Sequence, residues 1–173
     1  MMVLYLAAGI SGRKSGGAAE EGIDESAMGR LHAWEAAFKM AVDNPLTGVG
    51  IDNYLYNYFF YSSYWDGMNH AVHSSWFGVL AESGFLGLVL FIAMIVTMFK
   101  TSISSVRTVS ENPDNYPPIT YVMSEGTLAG LIAFCVSGSF LTQGYTWPIY
   151  ILLALTVANF NYRNQSKETQ NGQ

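Results

Sequence analysis

The feature that most constrains this chain is an apolar run from Trp76 to Phe99 that contains one charged residue, Glu82. A helix of about 20 apolar residues is long enough to cross the ~30 Å hydrocarbon core of a bilayer. The run reaches that length and is followed at once by Lys100. We therefore predict a transmembrane helix over residues 76–99.

Composition supports the same prediction. Half of the 173 residues are hydrophobic and 12% are charged, which is too apolar for an ordinary soluble domain of this length. The net charge is −5 and there is no cluster of Lys and Arg, so nucleic acid is not expected as a partner. A single cysteine, Cys135, allows neither a disulfide framework nor a cysteine-based zinc site.

Two more apolar segments follow the first. Residues 119–140 carry Glu125 and many small residues, which let helices approach closely in lipid. Residues 147–160 form a third, shorter segment. The polar residues 100–118 predict a loop, and residues 161–173 predict a disordered cytoplasmic tail. We expect an all-α, polytopic transmembrane protein with a long external loop that contains short helices.

The apolar N-terminal segment and the positions of the basic residues suggest how the chain crosses the membrane. Residues 1–10 are apolar but too short to span a bilayer, so we interpret them as the end of a transmembrane helix. Basic residues lie in the two polar segments, at Lys100, Arg107, Arg163 and Lys167. The positive-inside rule then places both segments in the cytoplasm and residues 11–75 outside, in the periplasm.

The external segment has internal organisation. Residues 12–22 are rich in Gly, Ala and Ser and predict a flexible stretch, whereas residues 26–42 predict a helix with Ser26 as its N-cap. Glycines in residues 46–53 predict a sharp turn. Residues 54–65 are unusually aromatic, which suits a membrane interface or a surface that stacks on sugars.

Two residues of this segment could carry chemistry, Arg30 near Trp34 and His73 where the first span begins. A guanidinium offers forked donors to phosphate oxygens, and an imidazole can take or give a proton near neutral pH. The pair suits a pyrophosphate-linked substrate. Alternatively, Arg30 is a solvated residue or a partner of Glu25 or Glu35, and His73 is a headgroup-level histidine with one hydrogen bond.

Other ionisable residues give weaker indications. His70 and His73 would share one face of a helix, and His32 could complete a set, but no carboxylate pattern accompanies them. No metal site is therefore expected. Glu82 and Glu125 lie inside apolar runs, where a carboxylate is either functional or close to the interface.

Four segments occur in a recognisable order: Ser26-Ala-Met-Gly-Arg30-Leu-His-Ala-Trp34, Asn44-Pro-Leu-Thr-Gly-Val-Gly-Ile-Asp-Asn53-Tyr54, Ala71-Val-His73-Ser74-Ser-Trp76 and Ala81-Glu82-Ser-Gly84-Phe-Leu-Gly87-Leu88. Together they resemble the catalytic loop of the bacterial O-antigen ligase and polymerase family, most strongly over residues 26–99. One departure is Ser74, where the family more often has asparagine after the histidine.

The resemblance implies transfer of a glycan from a polyprenyl-diphosphate carrier to a lipid, glycan or protein acceptor, at the outer face of the bacterial inner membrane. It implies no cofactor and no metal. Arg30 would hold the diphosphate and stabilise the leaving group, while His73 would activate the acceptor hydroxyl or position the carrier phosphate. Four further residues are candidates for substrate binding: Trp34, Asn53, Tyr54 and His70.

Several alternatives stay open at this point. The resemblance does not separate lipid ligase, repeat-unit polymerase and protein O-glycosylation enzyme. A non-catalytic membrane protein or truncated remnant, whose aromatic loop binds glycan or lipid, is a second class. A transporter would need ionisable residues along a pore, and only Glu125 is offered for that role.

Overall fold

The computed structural model describes residues 18–171, and the surroundings of side chains 27–166. The expected helix end at residues 1–10 lies outside that range. Within it, five α-helices and one 3₁₀ turn, Pro113–Asn115, account for the regular structure. The helices are α1 Ala18–Asp43, α2 Tyr54–Tyr61, α3 Ser75–Glu111, α4 Pro118–Gly138 and α5 Trp147–Asn171. The all-α prediction is confirmed.

The described residues form two compact units. The first contains the chain up to Leu88 together with Phe140–Thr142, and so holds α1, α2 and the first turns of α3. The second contains Val89–Ser139 and the chain from Gln143 onward. It holds the rest of α3 with α4 and α5.

Helix α1 begins earlier than the sequence analysis expects. It starts at Ala18, so Ser26 lies inside the helix and is not its N-cap. The flexible stretch predicted for residues 12–22 is wrong from Ala18 onward, and residues 12–17 lie outside the described range. Alanine and glutamate are strong helix formers and outweigh the single Gly22 in this region. The helix ends at Asp43, before Asn44-Pro45, as expected from the proline.

Helices α3 and α5 both run further than predicted. Helix α3 continues through Lys100 to Glu111, which leaves residues 112–117 as the connection to α4. Helix α5 reaches Asn171, where a disordered tail was expected. Both extensions are polar but contain no glycine or proline, so nothing in them interrupts the helical backbone.

Two of the described helices, Ser75–Glu111 and Pro118–Gly138, are long and apolar enough to cross a membrane. Only 33% and 28% of their most apolar windows are buried, whereas the core helix of a soluble protein would be mostly buried. The third predicted span, residues 147–160, is not among these helices. The polytopic arrangement therefore stays a prediction.

Helices α4 and α5 pack through small and polar groups. A Cβ on Gly130 would lie 2.8 Å from Leu152 Cδ2, so the two helices approach closely there. The amide of Asn159 donates to Thr127 Oγ1 at 3.0 Å. Small residues and interhelical hydrogen bonds of this kind hold helices together in lipid, where the hydrophobic effect contributes little between them.

Candidate active site

The core of the first unit forms where α1 meets α2 and the start of α3. Its buried members include small residues and large aromatic ones: Ala33, Trp34, Ala36, Ala37, Met40, Tyr54, Tyr58, Val72 and Ala81. Three alanines, Ala33, Ala36 and Ala37, lie on α1 and are fully buried. Because these side chains are short, the aromatic rings of the other elements can pack directly against the helix.

Trp34 ties α1 to the segment that precedes α3. Its indole N–H donates a hydrogen bond of 2.9 Å to the carbonyl oxygen of Val72. Its ring stacks on Phe77, with the centroids 5.0 Å apart and the planes 7° from parallel. Val72 directly precedes His73, and Arg30 lies one helical turn before Trp34. This contact therefore brings the stretches that carry Arg30 and His73 together.

Arg30 is half-buried and makes no hydrogen bond or ion pair within the part of the chain that the structure describes. Glu35, one possible partner, is bound instead by Lys39, whose Nζ lies 2.7 Å from Glu35 Oε1. That hydrogen bond from Lys39 lowers the pKa of the Glu35 carboxyl. The other possible partner, Glu25, has a side chain outside the described set. Among the described side chains, then, no carboxylate pairs with the Arg30 guanidinium.

His73 is exposed, and its backbone adopts a φ of 46°. This left-handed conformation costs a non-glycine residue about 1–2 kcal/mol. Such strain is retained where the surrounding structure requires it, and it is common at functional sites. On one side the residue follows Val72, held by Trp34, and on the other it precedes the first turn of α3.

Ser74 stands where the family more often has asparagine, yet it gives the chain the same local structure. Its carbonyl oxygen accepts the Gly78 amide at 2.9 Å, and its hydroxyl lies 3.5 Å from the Phe77 amide. These are the positions of a helix N-cap, a role for which serine and asparagine are both strongly preferred. Serine after the histidine therefore starts α3 as asparagine would.

His70 and His73 do not share a helical face, because residues 62–74 are not helical. His70 pairs with Asp66 at 2.7 Å, and this hydrogen bond lowers the pKa of the Asp66 carboxyl. His32 stacks on Tyr64, with 3.8 Å between ring centroids. Within the described residues no three His, Cys, Asp or Glu side chains come together as a metal site.

Helix α3 is interrupted at Gly84, whose φ of 70° lies in the left-handed region. The next amide, that of Phe85, leaves the helical pattern and donates to the carbonyl oxygen of Pro45 at 2.8 Å. A Cβ on Gly84 would lie 2.6 Å from that same oxygen. Glycine is therefore required both by the backbone conformation and by the close approach of the loop.

The interruption leaves two backbone carbonyl groups of α3 free to accept hydrogen bonds from the loop of residues 45–50, which contains Gly48 and Gly50. The amide of Val49 donates to Ala81 O at 2.9 Å, and that of Gly50 donates to Glu82 O at 3.0 Å. A Cβ on Gly48 would lie 2.3 Å from Ala81 O. The two glycine motifs of the sequence are thus complementary halves of one contact, which we call the glycine interlock (residues 45–50 with 81–85).

Glu82 and Tyr54 extend the glycine interlock to α2. The Tyr54 amide donates to Glu82 Oε1 at 3.3 Å, and the Tyr54 hydroxyl donates to Ala33 O at 2.9 Å. The ring is 4% exposed, and this burial raises the pKa of the Tyr54 phenol. Asn53 precedes it, is exposed, and donates to Ile51 O at 3.3 Å. Asn53 can reach a ligand, whereas Tyr54 supports the fold of the loop.

Glu125, the other carboxylate in an apolar run, is exposed on α4 and accepts a hydrogen bond from the hydroxyl of Tyr121, one turn earlier.

Some contacts in the structure could not be predicted from the sequence. In one of them, the Ser75 hydroxyl donates to Leu141 O at 2.7 Å. In another, the carbonyl of Val72 accepts the hydrogen bond from Trp34. Backbone acceptors carry no signature in the residue type, so such contacts become visible only in the folded chain.

A polar groove of about 940 Å³ also opens on the first unit. It combines charged, amide and aromatic side chains, among them Glu35, Lys39, Asp43, Asn57, Phe60 and Tyr61. Its lining includes neither Arg30 nor His73. Mixed polar and aromatic linings provide both hydrogen bonds and stacking surfaces for a ligand.

Comparison with known proteins gives a family match. A family model described as O-Antigen ligase matches residues 1–92, whereas no curated protein and no solved structure matches the chain. The matched region contains Arg30, Trp34 and His73 and both halves of the glycine interlock. It covers more than half of the 173 residues. The chain therefore belongs to the O-antigen ligase family.

Proposed function

We propose that this chain transfers a glycan from a polyprenyl-diphosphate carrier to a lipid, glycan or protein acceptor at the outer face of the inner membrane. Membership of the O-antigen ligase family supports the general class of activity. The observation that carries the proposal is the hydrogen bond from Trp34 to Val72, because it joins the stretches bearing Arg30 and His73.

In this proposal Arg30 binds the diphosphate of the carrier. Its guanidinium is permanently charged, and its forked N–H groups match pairs of phosphate oxygens. Within the described residues no carboxylate pairs with it, which supports a role in binding an anion. The same contact stabilises the negative charge that develops on the diphosphate as the glycosidic bond breaks.

His73 acts on the acceptor. Its imidazole takes the proton from an acceptor hydroxyl, and the oxygen then attacks the anomeric carbon of the donor sugar. The bond from that carbon to the carrier diphosphate breaks, and its electron pair leaves with the diphosphate, which Arg30 holds. A second role for the imidazole, orientation of the carrier phosphate, uses the same exposed position beside the start of α3.

The four other candidate residues divide into two groups. Trp34 and Tyr54 are buried, and each donates a hydrogen bond to a backbone carbonyl, of Val72 and of Ala33 respectively. They therefore hold the elements of the first unit in place. Asn53 is exposed and His70 is partly exposed, so both can contact sugar hydroxyls. Exposed aromatic rings on and after α2 add stacking surfaces: Tyr56, Phe59, Phe60 and Trp65.

Two helices of spanning length support the proposed membrane setting. Helix α3 begins two residues after His73, so we place the proposed site at the membrane surface, where α3 would enter the lipid. A polyprenyl carrier keeps its chain in the bilayer and its diphosphate at that surface. The periplasmic side is proposed from the basic residues of the opposite polar segments.

The direct test replaces Arg30 by Gln, and separately His73 by Ala, in the protein expressed from its own gene in its bacterial host. We expect carrier-linked glycan to accumulate and the transferred product to fall at least about 100-fold, the usual lower range for loss of a general base. Arg107→Gln is the matched control, because Arg107 is exposed and pairs with Glu111 on α3.

The same test separates the second class of function. If both variants are made at normal levels and still transfer glycan as the parent does, the chain is not the catalyst. A non-catalytic membrane protein with a glycan-binding or lipid-binding loop would then be the better description.

A further inference from the structure

The second unit contains an apolar groove between α3 and α5. It has a volume of about 460 Å³ and is lined mainly by aliphatic, methionine and aromatic side chains, including Leu90, Met94, Met98, Leu153, Val157 and Phe160. On α3 the lining extends from Leu90 to Thr101. At 1.5 Å rise per residue this is ~16 Å, close to the length of an extended acyl chain.

A buried arginine lies one turn beyond the end of this groove. Arg163 is 7% exposed, and its guanidinium carbon lies 5.2 Å from the ring centroid of Phe160, which lines the groove. Its Nη1 donates to Ser104 Oγ at 2.9 Å. Its Nε is buried and has no hydrogen-bond partner among the described residues.

This arginine is incompletely satisfied in the described part of the chain. No carboxylate there forms an ion pair with it. A buried charge is costly unless it is paired and hydrogen-bonded, so a guanidinium that no described carboxylate compensates fits an anionic ligand. The aromatic contact with Phe160 offsets only part of that cost.

The position along the helices fits a lipid headgroup. The apolar part of α3 ends at Phe99, Lys100 is exposed, and Ser104 follows one turn later. Thr101, which lines the groove, lies one turn before Ser104. The groove thus lies beside the apolar part of α3, whereas Arg163 meets α3 just beyond it. In a bilayer spanned by this apolar part, that position corresponds to the phosphate level.

We propose that this groove and Arg163 bind one anionic phospholipid of the surrounding bilayer. One acyl chain occupies the groove, and the phosphodiester pairs with the Arg163 guanidinium through its Nη groups, because Nε itself is enclosed by protein. Charge complementarity favours an anionic lipid over a zwitterionic one, because the choline group of the latter would bring a second cation to the guanidinium. The site contains neither Arg30 nor His73 and is independent of glycan transfer.

The test measures lipid retention by native mass spectrometry on the purified chain, after equilibration with equal amounts of phosphatidylglycerol and phosphatidylcholine. We expect one retained phosphatidylglycerol, preferred about tenfold, as one or two charge-assisted hydrogen bonds would give. Arg163→Gln should abolish the preference and Arg163→Lys should keep part of it. Arg107→Gln is the matched control and should leave it unchanged, since Arg107 is exposed.

A second variant probes the groove without touching the arginine. Ala93 is exposed and lines the groove, so Ala93→Trp should fill it and lower retention of both lipids. This variant keeps the test decisive even if Arg163→Gln does not fold. Millimolar inorganic phosphate should not displace the lipid.

Four results would overturn the proposal. Equal retention of the two lipids by the parent protein would remove the role of charge. Displacement by inorganic phosphate would show a free-phosphate site. Absence of any retained lipid, or unchanged retention in both Arg163→Gln and Ala93→Trp, would mean that another protein segment covers this face.

Discussion

Trp34 donates its indole N–H to the carbonyl oxygen of Val72 at 2.9 Å, across 38 positions of the sequence. Through this one bond the helix that carries Arg30 is fixed to the residue directly before His73. Neither the arginine nor the histidine makes the connection itself. Trp34, one helical turn after Arg30, therefore holds the stretch that carries the arginine against the segment before His73.

Replacing Trp34 by Phe removes the N–H and keeps an aromatic ring to stack on Phe77. Because Val72 is 1% exposed, its carbonyl would lose a buried partner, and the free energy of unfolding should fall by about 1–3 kcal/mol. Glycan transfer should fall further than the folded fraction does. Trp147→Phe, at a residue 80% exposed, is the control for both measurements. Unaltered transfer in Trp34→Phe would show that the bond does not position the site.

His73 allows stability and activity to be separated. Its φ of 46° is unstrained for glycine, so His73→Gly should be more stable to thermal unfolding than His73→Ala, by about 1 kcal/mol. Both variants lack the imidazole, and both should lose transfer equally. Equal stability of the two would argue against the left-handed backbone, and activity in either would remove the histidine from the mechanism.

Gly48 tests the glycine interlock. A methyl group there would lie 2.3 Å from Ala81 O at a φ of +61°, so Gly48→Ala should lower the free energy of unfolding by at least about 2 kcal/mol. At Gly29 an added methyl meets nothing within 4 Å, and Gly29→Ala in α1 should stabilise by up to about 1 kcal/mol. Thermal unfolding in detergent measures both. Similar stabilities would contradict the close approach.

Arg30→Lys retains the charge but not the planar fork. If Arg30 grips two phosphate oxygens, we expect transfer to fall about 10-fold to 100-fold, because one charge-assisted hydrogen bond contributes about 1.5–3 kcal/mol. The loss should be larger for Arg30→Gln. Measuring carrier-linked glycan and transferred product in the host tests whether activity decreases from the parent to Arg30→Lys to Arg30→Gln. Full activity with lysine would mean that only the charge matters.

Tyr54 predicts a pH dependence. Burial raises its pKa, so below the ordinary tyrosine value, about 10, the phenol is protonated in both folded and unfolded chains. Above that pH the unfolded chain loses the phenolic proton before the folded chain does. The contribution of Tyr54 to the free energy of unfolding then falls by about 1.4 kcal/mol per pH unit. The stability advantage of the parent over Tyr54→Phe should shrink as the pH rises above 10. A constant advantage would contradict the burial of the hydroxyl.

The helical class and the main apolar helix follow from local pattern. A long run of apolar residues without proline can satisfy its backbone in lipid only as a helix, so the helix over residues 85–99 needed no tertiary information. The interruption at Gly84, within the predicted span 76–99, did need it. The predicted ends of the helices were less accurate. Helices α3 and α5 extend into polar sequence, where composition suggests loop or disorder but no residue stops the helix.

The sequence by itself determined the all-helical fold, the family and the two residue types suited to a diphosphate and a hydroxyl, because these depend on side-chain chemistry and short-range periodicity. Only the tertiary structure decided what joins them. The bond from Trp34 to Val72 and the contact of Gly48 with Ala81 use backbone carbonyls far away in the chain. Every residue offers the same carbonyl, so its partner is chosen by packing and not by residue identity.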